Sequence, residues 1–345
     1  MEENEVKTTN ISEIGEFGLI DRLTDKITFF NDNSLKGVGD DAAVIDNKEQ
    51  MTLVSTDILV EGVHFDLTYT PLKHLGYKAA AVNFSDIYAM NGRPTQIVVA
   101  LAVSSRFSVE AVEELYSGIR LACERYKVDI VGGDTTASKN GLVISITVMG
   151  VAAKDDIVYR DGARPNDLLC VSGDLGAAYT GLLILEREKA VFMANPDMQP
   201  ELGGNDYILE RQLKPEPRRD IVERLKAAGV KPTSMIDVSD GLASEILHLC
   251  KDSKVGCQVY EDRIPMDPLT VKTAKYFKLV PSITALNGGE DYELLFTVAQ
   301  SDYDKIKEME GIRIIGYMTA DTGNAVLITP DEHSVPLRAQ GFKHF

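Results

Sequence analysis

The chain has 345 residues, 44 % of them hydrophobic and 7 % aromatic, and a formal net charge of −17. That length exceeds what one hydrophobic core usually serves, so two domains are expected. The negative charge excludes a nucleic-acid or anionic-membrane surface, which needs a basic footprint, but not a small phosphate ligand whose charge is met by metal ions.

In chain order, a short helix is expected around Glu13 to Leu23, and a polar turn over 31–36 leads into GVGDDAAVI from Gly37. Ala43 to Ile45 and Thr52 to Ser55 read as strands separated by a polar turn. Thr70-Pro71 opens a long helix, with Thr70 as N-cap, that ends near Asn91-Gly92. Asn83 and Asp86, three apart, share one of its faces, and an Asp in such apolar company is unusual. Gln96 to Val103 is an apolar strand, Ser108 caps a helix through Tyr126, and Val128 to Val131 is a strand ending in Gly132-Gly133-Asp134. Leu142 to Ala152 closes the first half, and the domain boundary is expected near Asp155 to Arg164.

The second half opens with a strand over Asp167 to Ser172 and a helix over Leu175 to Glu188, followed by an irregular excursion from Met193 to Asn205. Helices are expected over Arg218 to Ala228, Asp240 to Cys250, Thr270 to Lys278 and Ser301 to Met309. Strands are expected around Met235 to Val238, Val255 to Tyr260, Tyr292 to Val298, Ile312 to Tyr317 and Ala325 to Ile328. The pattern is α+β: two domains, each with helices layered on a sheet. Cys123, Cys170, Cys250 and Cys257 show neither a CxxC pair nor zinc spacing and read as reduced thiols. Residues 1–16 lack the apolar core of a signal peptide, and no run is long and apolar enough to span a bilayer, so a cytoplasmic location is expected.

Chemistry enters through carboxylates. Asp40 and Asp41 follow a Gly-x-Gly turn, and Ser55, Thr56 and Asp57 end an apolar run, with no Lys or Arg inside either cluster. Carboxylates crowded without a basic partner must protonate, spread into solvent or share a cation. Hard oxygen ligands suit Mg²⁺ held together with substrate phosphates. The arrangement recurs at Asp86, at Asp134 in IVGGD, at Asp237, Ser239 and Asp240 in MIDVSDG, and at Glu290, Asp291 and Glu293 in NGGEDYE. Strand ends along one sheet edge can aim at a common point, as phosphoryl transfer requires. Each acid also has a plainer reading: Asp240 as a helix N-cap, Asp134 closing an Asx-turn.

Other phosphate-binding schemes fit less well. GxxxxGK[ST] is absent, which removes a P-loop. Gly37 to Ala42 formally fits GxGxxA, but a polar run precedes it and two Asp would face the pyrophosphate. His64, seven residues after Asp57, reads as a loop imidazole able to face the same site, and Arg160 as a surface cation able to reach a phosphate.

The set GVGDDAAVI, STDILVEGVHF, YKAAAVNFSDIYAM, IVGGDTT, IDVSDGL and NGGEDYELLF, in this order, strongly resembles thiamine-monophosphate kinase. That family belongs to a superfamily with aminoimidazole ribonucleotide synthetase, selenophosphate synthetase and a hydrogenase-maturation protein. The resemblance implies ATP-dependent phosphorylation of thiamine monophosphate to thiamine diphosphate, with several Mg²⁺ ions between acids and phosphates. It implies Asp41, Ser55, Thr56, Asp57, Asp86, Asp134, Asp237 and Asp240 as metal ligands, Ser55 and Thr56 partly through main-chain or hydroxyl oxygens. Tyr116, Gly133, Asp134, Arg160 and Ser239 would contact ATP, and His64, Glu290 and Phe342 would line the thiamine-phosphate pocket. A homodimer paired through the N-terminal domains is implied as well, with residues 1–155 as the ATP, Mg²⁺ and dimerisation domain and residues 156–345 completing the site.

Selenophosphate synthetase would want a reactive Cys near the N-terminus, and the first 122 residues hold none. The loops of aminoimidazole ribonucleotide synthetase differ from STDILVEGVHF. A catalytically silent metal-binding protein is the reading from another class.

Overall fold

The computed structural model describes residues 9, 13–14, 19, 22–36, 44–48 and 50–340. Two compact units emerge, Met1–Ile87 with Arg93–Ala153 and Tyr88–Gly92 with Lys154–Phe345.

The first unit contains the pair β1 (Ser34–Lys36) and β2 (Val44–Ile45), then β3 (Met51–Val60), α1 (Leu72–Ala89), β4 (Arg93–Val103), α2 (Val109–Tyr126), β5 (Asp129–Ala137) and β6 (Val143–Ala152). Its sheet runs β3-β6-β4-β5, antiparallel except for the parallel pair β4 and β5. A parallel pair needs a crossover, and α2 supplies it. Alternation sorts the strands: Leu53, Leu59, Ile97, Val99, Leu101, Ile144, Ile146 and Val148 are buried, whereas Val54 and Ile58 on β3 are 65 % and 55 % exposed. One face of the sheet therefore presents apolar side chains to solvent.

Helices α1 and α2 touch backbone to backbone. A Cβ on Gly76 would stand 1.9 Å from the Leu115 carbonyl oxygen, and one on Gly118 would stand 1.9 Å from that of Lys73. Helix α2 is capped by Ser108, whose side chain accepts the Ala111 N–H at 3.3 Å. Helix α1 begins one residue later than expected. The Pro71 carbonyl accepts the Leu75 N–H at 2.9 Å, so Pro71, which has no N–H to lose, stands where the helix opens.

The second unit comprises β7 (Leu168–Ser172), α3 (Ala177–Ala194), α4 (Asp206–Leu213), α5 (Arg219–Ala227), β8 (Ser234–Asp237), α6 (Leu242–Ser253) and β9 (Gly256–Tyr260). It continues with α7 (Pro268–Tyr276), α8 (Pro281–Asn287), β10 (Leu294–Val298), α9 (Tyr303–Ile306), β11 (Ile312–Thr319), β12 (Ala325–Ile328) and β13 (Ser334–Pro336). The sheet order is β13-β12-β9-β11-β7-β10-β8, with β12 and β9 the parallel pair. Leu169, Val171, Ile236, Leu295 and Ile315 from this sheet share a core with Ile246 and Leu249 of α6.

Helices α4 and α8 escaped the sequence pattern. DYILERQL is short and mostly polar, yet Ile208, Leu209 and Gln212 are buried. Gly181 of α3 lets α4 approach so closely that a Cβ there would lie 2.0 Å from the Ile208 carbonyl. Among the described residues no helix is long and apolar enough to cross a membrane.

Candidate active site

In the first unit β3 and α1 bring two carboxylates together. The Asn83 side-chain oxygen accepts the Asp57 N–H at 3.1 Å, which fixes the strand against the helix at that residue. Asp86, one turn further along, accepts a hydrogen bond from Ser55 Oγ at 2.6 Å. Burial, reinforced by the Asp86 charge, pushes the Asp57 carboxyl up to about 6. An acid so raised gains from a cation. Two carboxylates and a hydroxyl match the donor set of Mg²⁺, which takes one or two carboxylates and leaves its other positions to phosphate and water. Among the described residues no group of three or more His, Cys, Asp or Glu stands in metal-holding geometry.

At the other edge of the same sheet, β5 borders a solvent-open recess lined by Leu23, Thr24, Ile27, Tyr116, Ile130, Gly132, Gly133, Asp134 and Thr135. The N-terminal segment is drawn to β5 by Asp129, fully buried, whose carboxylate accepts the N–H groups of Phe30 and Asn31 and the Ser34 hydroxyl. Gly133 permits tight strand pairing, since a Cβ there would lie 2.3 Å from the Val99 carbonyl oxygen. Tyr116 is buried, which pushes its phenol up to about 12 and keeps it neutral.

The expected convergence is therefore partial. Ser55, Asp57 and Asp86 meet, but β3 and β5 are opposite edges of the sheet. Three strand spacings separate Asp57 from Asp134, roughly 14 Å. Thr56 turns the other way: its hydroxyl donates to the Ile146 carbonyl at 3.1 Å and meets Thr147 Oγ1 at 3.0 Å. Successive strand residues face opposite sides, so the Thr56 hydroxyl is not beside Asp57. Half-buried His64 accepts the Val60 N–H on Nδ1 at 3.0 Å, which leaves Nε2 as the protonated nitrogen of the neutral ring. Asp40, Asp41 and Phe342 lie outside the described residues.

In the second unit Asp237 is buried at the end of β8, while Ser239 and Asp240 are exposed in the turn to α6. Asp240 is not the cap of α6; Gly241 takes that position with φ +124° and no side-chain cap. Glu245 supplies the acceptor instead, from inside the helix: its Oε1 accepts the Asp240 N–H at 2.8 Å and the Ser239 N–H at 3.2 Å. Arg160 is exposed on the chain leading to β7. Glu290 is half-buried and accepts from Gln212 Nε2 at 2.7 Å.

The acids next to Glu290 have another task. Glu293 is fully buried and paired with Arg211 at 2.8 Å and Arg218 at 2.6 Å. Asp291 lies at the start of α3, accepting the Gly176 N–H at 2.7 Å and facing Arg211 at 3.7 Å. These two carboxylates of NGGEDYE are bound up in the protein's own contacts, unlike the exposed Asp240. Sequence reasoning missed Glu245, the Arg211 and Gln212 pair, and the Leu23, Thr24 and Ile27 wall. Only an acid at the fourth helical position of DGLASE offered a local signal.

Comparison with known proteins decides the family. The model for AIR synthase related protein, N-terminal domain, matches residues 39–152. Thiamine-monophosphate kinase of Bacillus subtilis (strain 168) is 35 % identical over 336 residues, covering 96 % of this chain and 99 % of the relative. The chain belongs to the thiamine-monophosphate kinase family. The Aquifex aeolicus (strain VF5) kinase is 34 % identical, over 97 % of this chain and 99 % of its own. A solved structure described as AaThiL complexed with AMPPCP and TMP matches with a TM-score of 0.73 at 31 % identity, covering 98 % of this chain and 99 % of that one. The thiamine-monophosphate kinase of Stenotrophomonas maltophilia K279a gives 0.77 at 30 % identity, covering 92 % and 98 %.

Proposed function

We propose that this chain transfers the γ-phosphoryl group of ATP to thiamine monophosphate, giving ADP and thiamine diphosphate. Family membership supports the reaction, and the Asp57 and Asp86 pair, held by Asn83 and Ser55, is the observation that carries it. An oxygen of the thiamine phosphate attacks the γ-phosphorus in line, and the bond from that phosphorus to the ADP oxygen breaks. No dedicated base is required, because a phosphate monoester with a second pKa near ~6 is already largely a dianion at neutral pH.

Asp41, Ser55, Thr56, Asp57, Asp86, Asp134, Asp237 and Asp240 are assigned to Mg²⁺, Thr56 through its main-chain oxygen. Bound there, Mg²⁺ would neutralise the charge of two phosphates that otherwise repel. Tyr116, Gly133 and Asp134 of the β5 recess, with Arg160 and Ser239, are assigned to ATP. His64, through Nε2–H, with Glu290 and Phe342, is assigned to the thiamine phosphate.

A cytoplasmic homodimer completes the reading, with the first unit as the ATP, Mg²⁺ and dimerisation domain and the second supplying Asp237, Ser239, Asp240 and Glu290. The apolar sheet face at Val54 and Ile58 is assigned to a second copy. A two-fold axis along the strands would set the β3 edge of one copy opposite the β5 edge of the other.

The test is incubation with ATP, Mg²⁺ and thiamine monophosphate, reading ADP and thiamine diphosphate. Asp57→Asn and Asp134→Asn are expected to lose nearly all turnover with the fold intact. Metal uptake indifferent to ATP, with no product, would favour a silent metal-binding protein.

A further inference from the structure

The turn Asp237-Val238-Ser239-Asp240-Gly241 between β8 and α6 has its backbone groups taken up one by one. The Val238 N–H donates to the Glu293 carbonyl at 2.7 Å, and the Val238 carbonyl accepts the Tyr292 N–H at 2.8 Å. The Ser239 carbonyl accepts the Glu290 N–H at 2.7 Å. The facing loop adopts left-handed backbone at Gly289, Glu290 and Tyr292, with φ of 71°, 59° and 51°, to make these bonds. Non-glycine residues hold that conformation only where the surroundings over-determine it.

Two further amides of the turn, those of Ser239 and Asp240, both go to one oxygen, Glu245 Oε1, which also accepts from Ser239 Oγ at 3.4 Å. Glu245 is 2 % exposed, whereas Ser239 and Asp240 are exposed. Both amides and the Ser239 hydroxyl are thus tied to Glu245, while Ser239 and Asp240 stay exposed as residues. A buried carboxylate is a costly acceptor for the amides of an exposed turn. Its value here is that one rigid acceptor fixes two successive peptide planes.

We propose that Glu245 is the positioning residue of this turn, setting the direction of Ser239 and Asp240 and thereby the affinity for ATP with its metal-bound phosphates. The inference rests on the kinase reading for its ligand, but not for the geometry of the turn.

Three variants of the full chain test it. Glu245→Met keeps the volume and removes the acceptor. Glu245→Gln keeps a side-chain oxygen for the two amides and removes only the charge. Leu249→Ala, in the core on the same helix, controls for destabilisation alone.

Two readouts are taken: hydrogen exchange of the Ser239 and Asp240 amides in the free protein, and KM for ATP and for thiamine monophosphate. Relative to Leu249→Ala, Glu245→Met should exchange at least tenfold faster at those two amides. Its KM for ATP should rise at least tenfold, with KM for thiamine monophosphate within twofold. Glu245→Gln should return both readouts to within threefold of the unaltered chain. The proposal is overturned if Glu245→Met and Leu249→Ala behave alike, if Glu245→Gln is as impaired as Glu245→Met, or if exchange changes without KM for ATP. An unaltered chain that never phosphorylates thiamine monophosphate defeats the kinase reading instead, and the exchange data still judge Glu245.

Discussion

Asn83 grips Asp57 by its backbone: a fully buried amide on α1 accepts the Asp57 N–H at 3.1 Å while donating to the Ala79 carbonyl at 3.0 Å. Both functional groups of the side chain are thereby spent. Asp86 sits three residues on, so the helix that anchors the strand also carries the second carboxylate. The spacing of the two acids is set by one turn of helix and one hydrogen bond.

Asn83→Leu keeps the volume and removes the acceptor. Leaving the Asp57 N–H unpaired should cost about 1–3 kcal/mol of stability. The larger effect should be on the site: the Mg²⁺ concentration for half-maximal activity should rise more than tenfold in the folded variant. Urea unfolding and a Mg²⁺ titration of activity measure the two separately. A stable Asn83→Leu protein with an unchanged Mg²⁺ requirement would sink the role given to Asn83.

Gly118→Ala tests the contact between α1 and α2. The added methyl carbon would stand 1.9 Å from the Lys73 carbonyl oxygen, so the helices must separate. Overpacking of this kind costs about 1–3 kcal/mol. Thermal melting should show a lowered midpoint. A melting curve identical to that of the unaltered chain would mean that the helices do not cross at this glycine.

Ile58→Asp addresses the exposed sheet face. Ile58 is 55 % exposed on the edge strand β3, so a carboxylate there disturbs little within one chain. In a dimer joined through this face the charge would be buried without a partner, which is strongly unfavourable. Sedimentation velocity should show the unaltered chain as a dimer and Ile58→Asp as a monomer. A variant that stays dimeric removes this face as the interface.

Much of this was legible in the sequence where the signal is local. Apolar runs that stop at an acid mark strands, and MID does place Asp237 at the end of β8; but β5 runs on past Asp134 to Ala137 and β3 past Asp57 to Val60, so those two acids stand within their strands rather than at the ends the pattern predicts. What stayed hidden was set by distant partners. Arg211 and Glu293 are 82 residues apart, and no spacing rule links them. So Asp291 and Glu293 read like the metal-binding acids although α4 supplies their counter-charge. Asp240 reads as a helix cap because capping statistics are local, while Gly241 takes that position and Glu245, reaching back from within α6, holds the Ser239 and Asp240 amides that precede the helix. The β3-β6-β4-β5 order, which parts Asp57 from Asp134, depends on pairing that sequence periodicity does not encode.

Asp291 makes stability depend on pH in a direction opposite to that of an ordinary ion-paired acid. Burial, partly opposed by Arg211 and by the Gly176 and Ala178 N–H groups, pushes its carboxyl up from 3.8 to about 7. A folded-state value above the unfolded one means that the native state binds the extra proton between those two pH values. The contribution of Asp291 is then fully present below pH 4 and falls away as pH rises toward 7. The loss amounts to at most about 4 kcal/mol. Asp291→Asn cannot titrate, so its stability relative to the unaltered chain should improve steadily from pH 4 to pH 7. Chemical unfolding of both proteins at several pH values measures this difference directly. A difference that stays flat, or that shrinks as pH rises, would mean that Arg211 holds Asp291 ionised throughout.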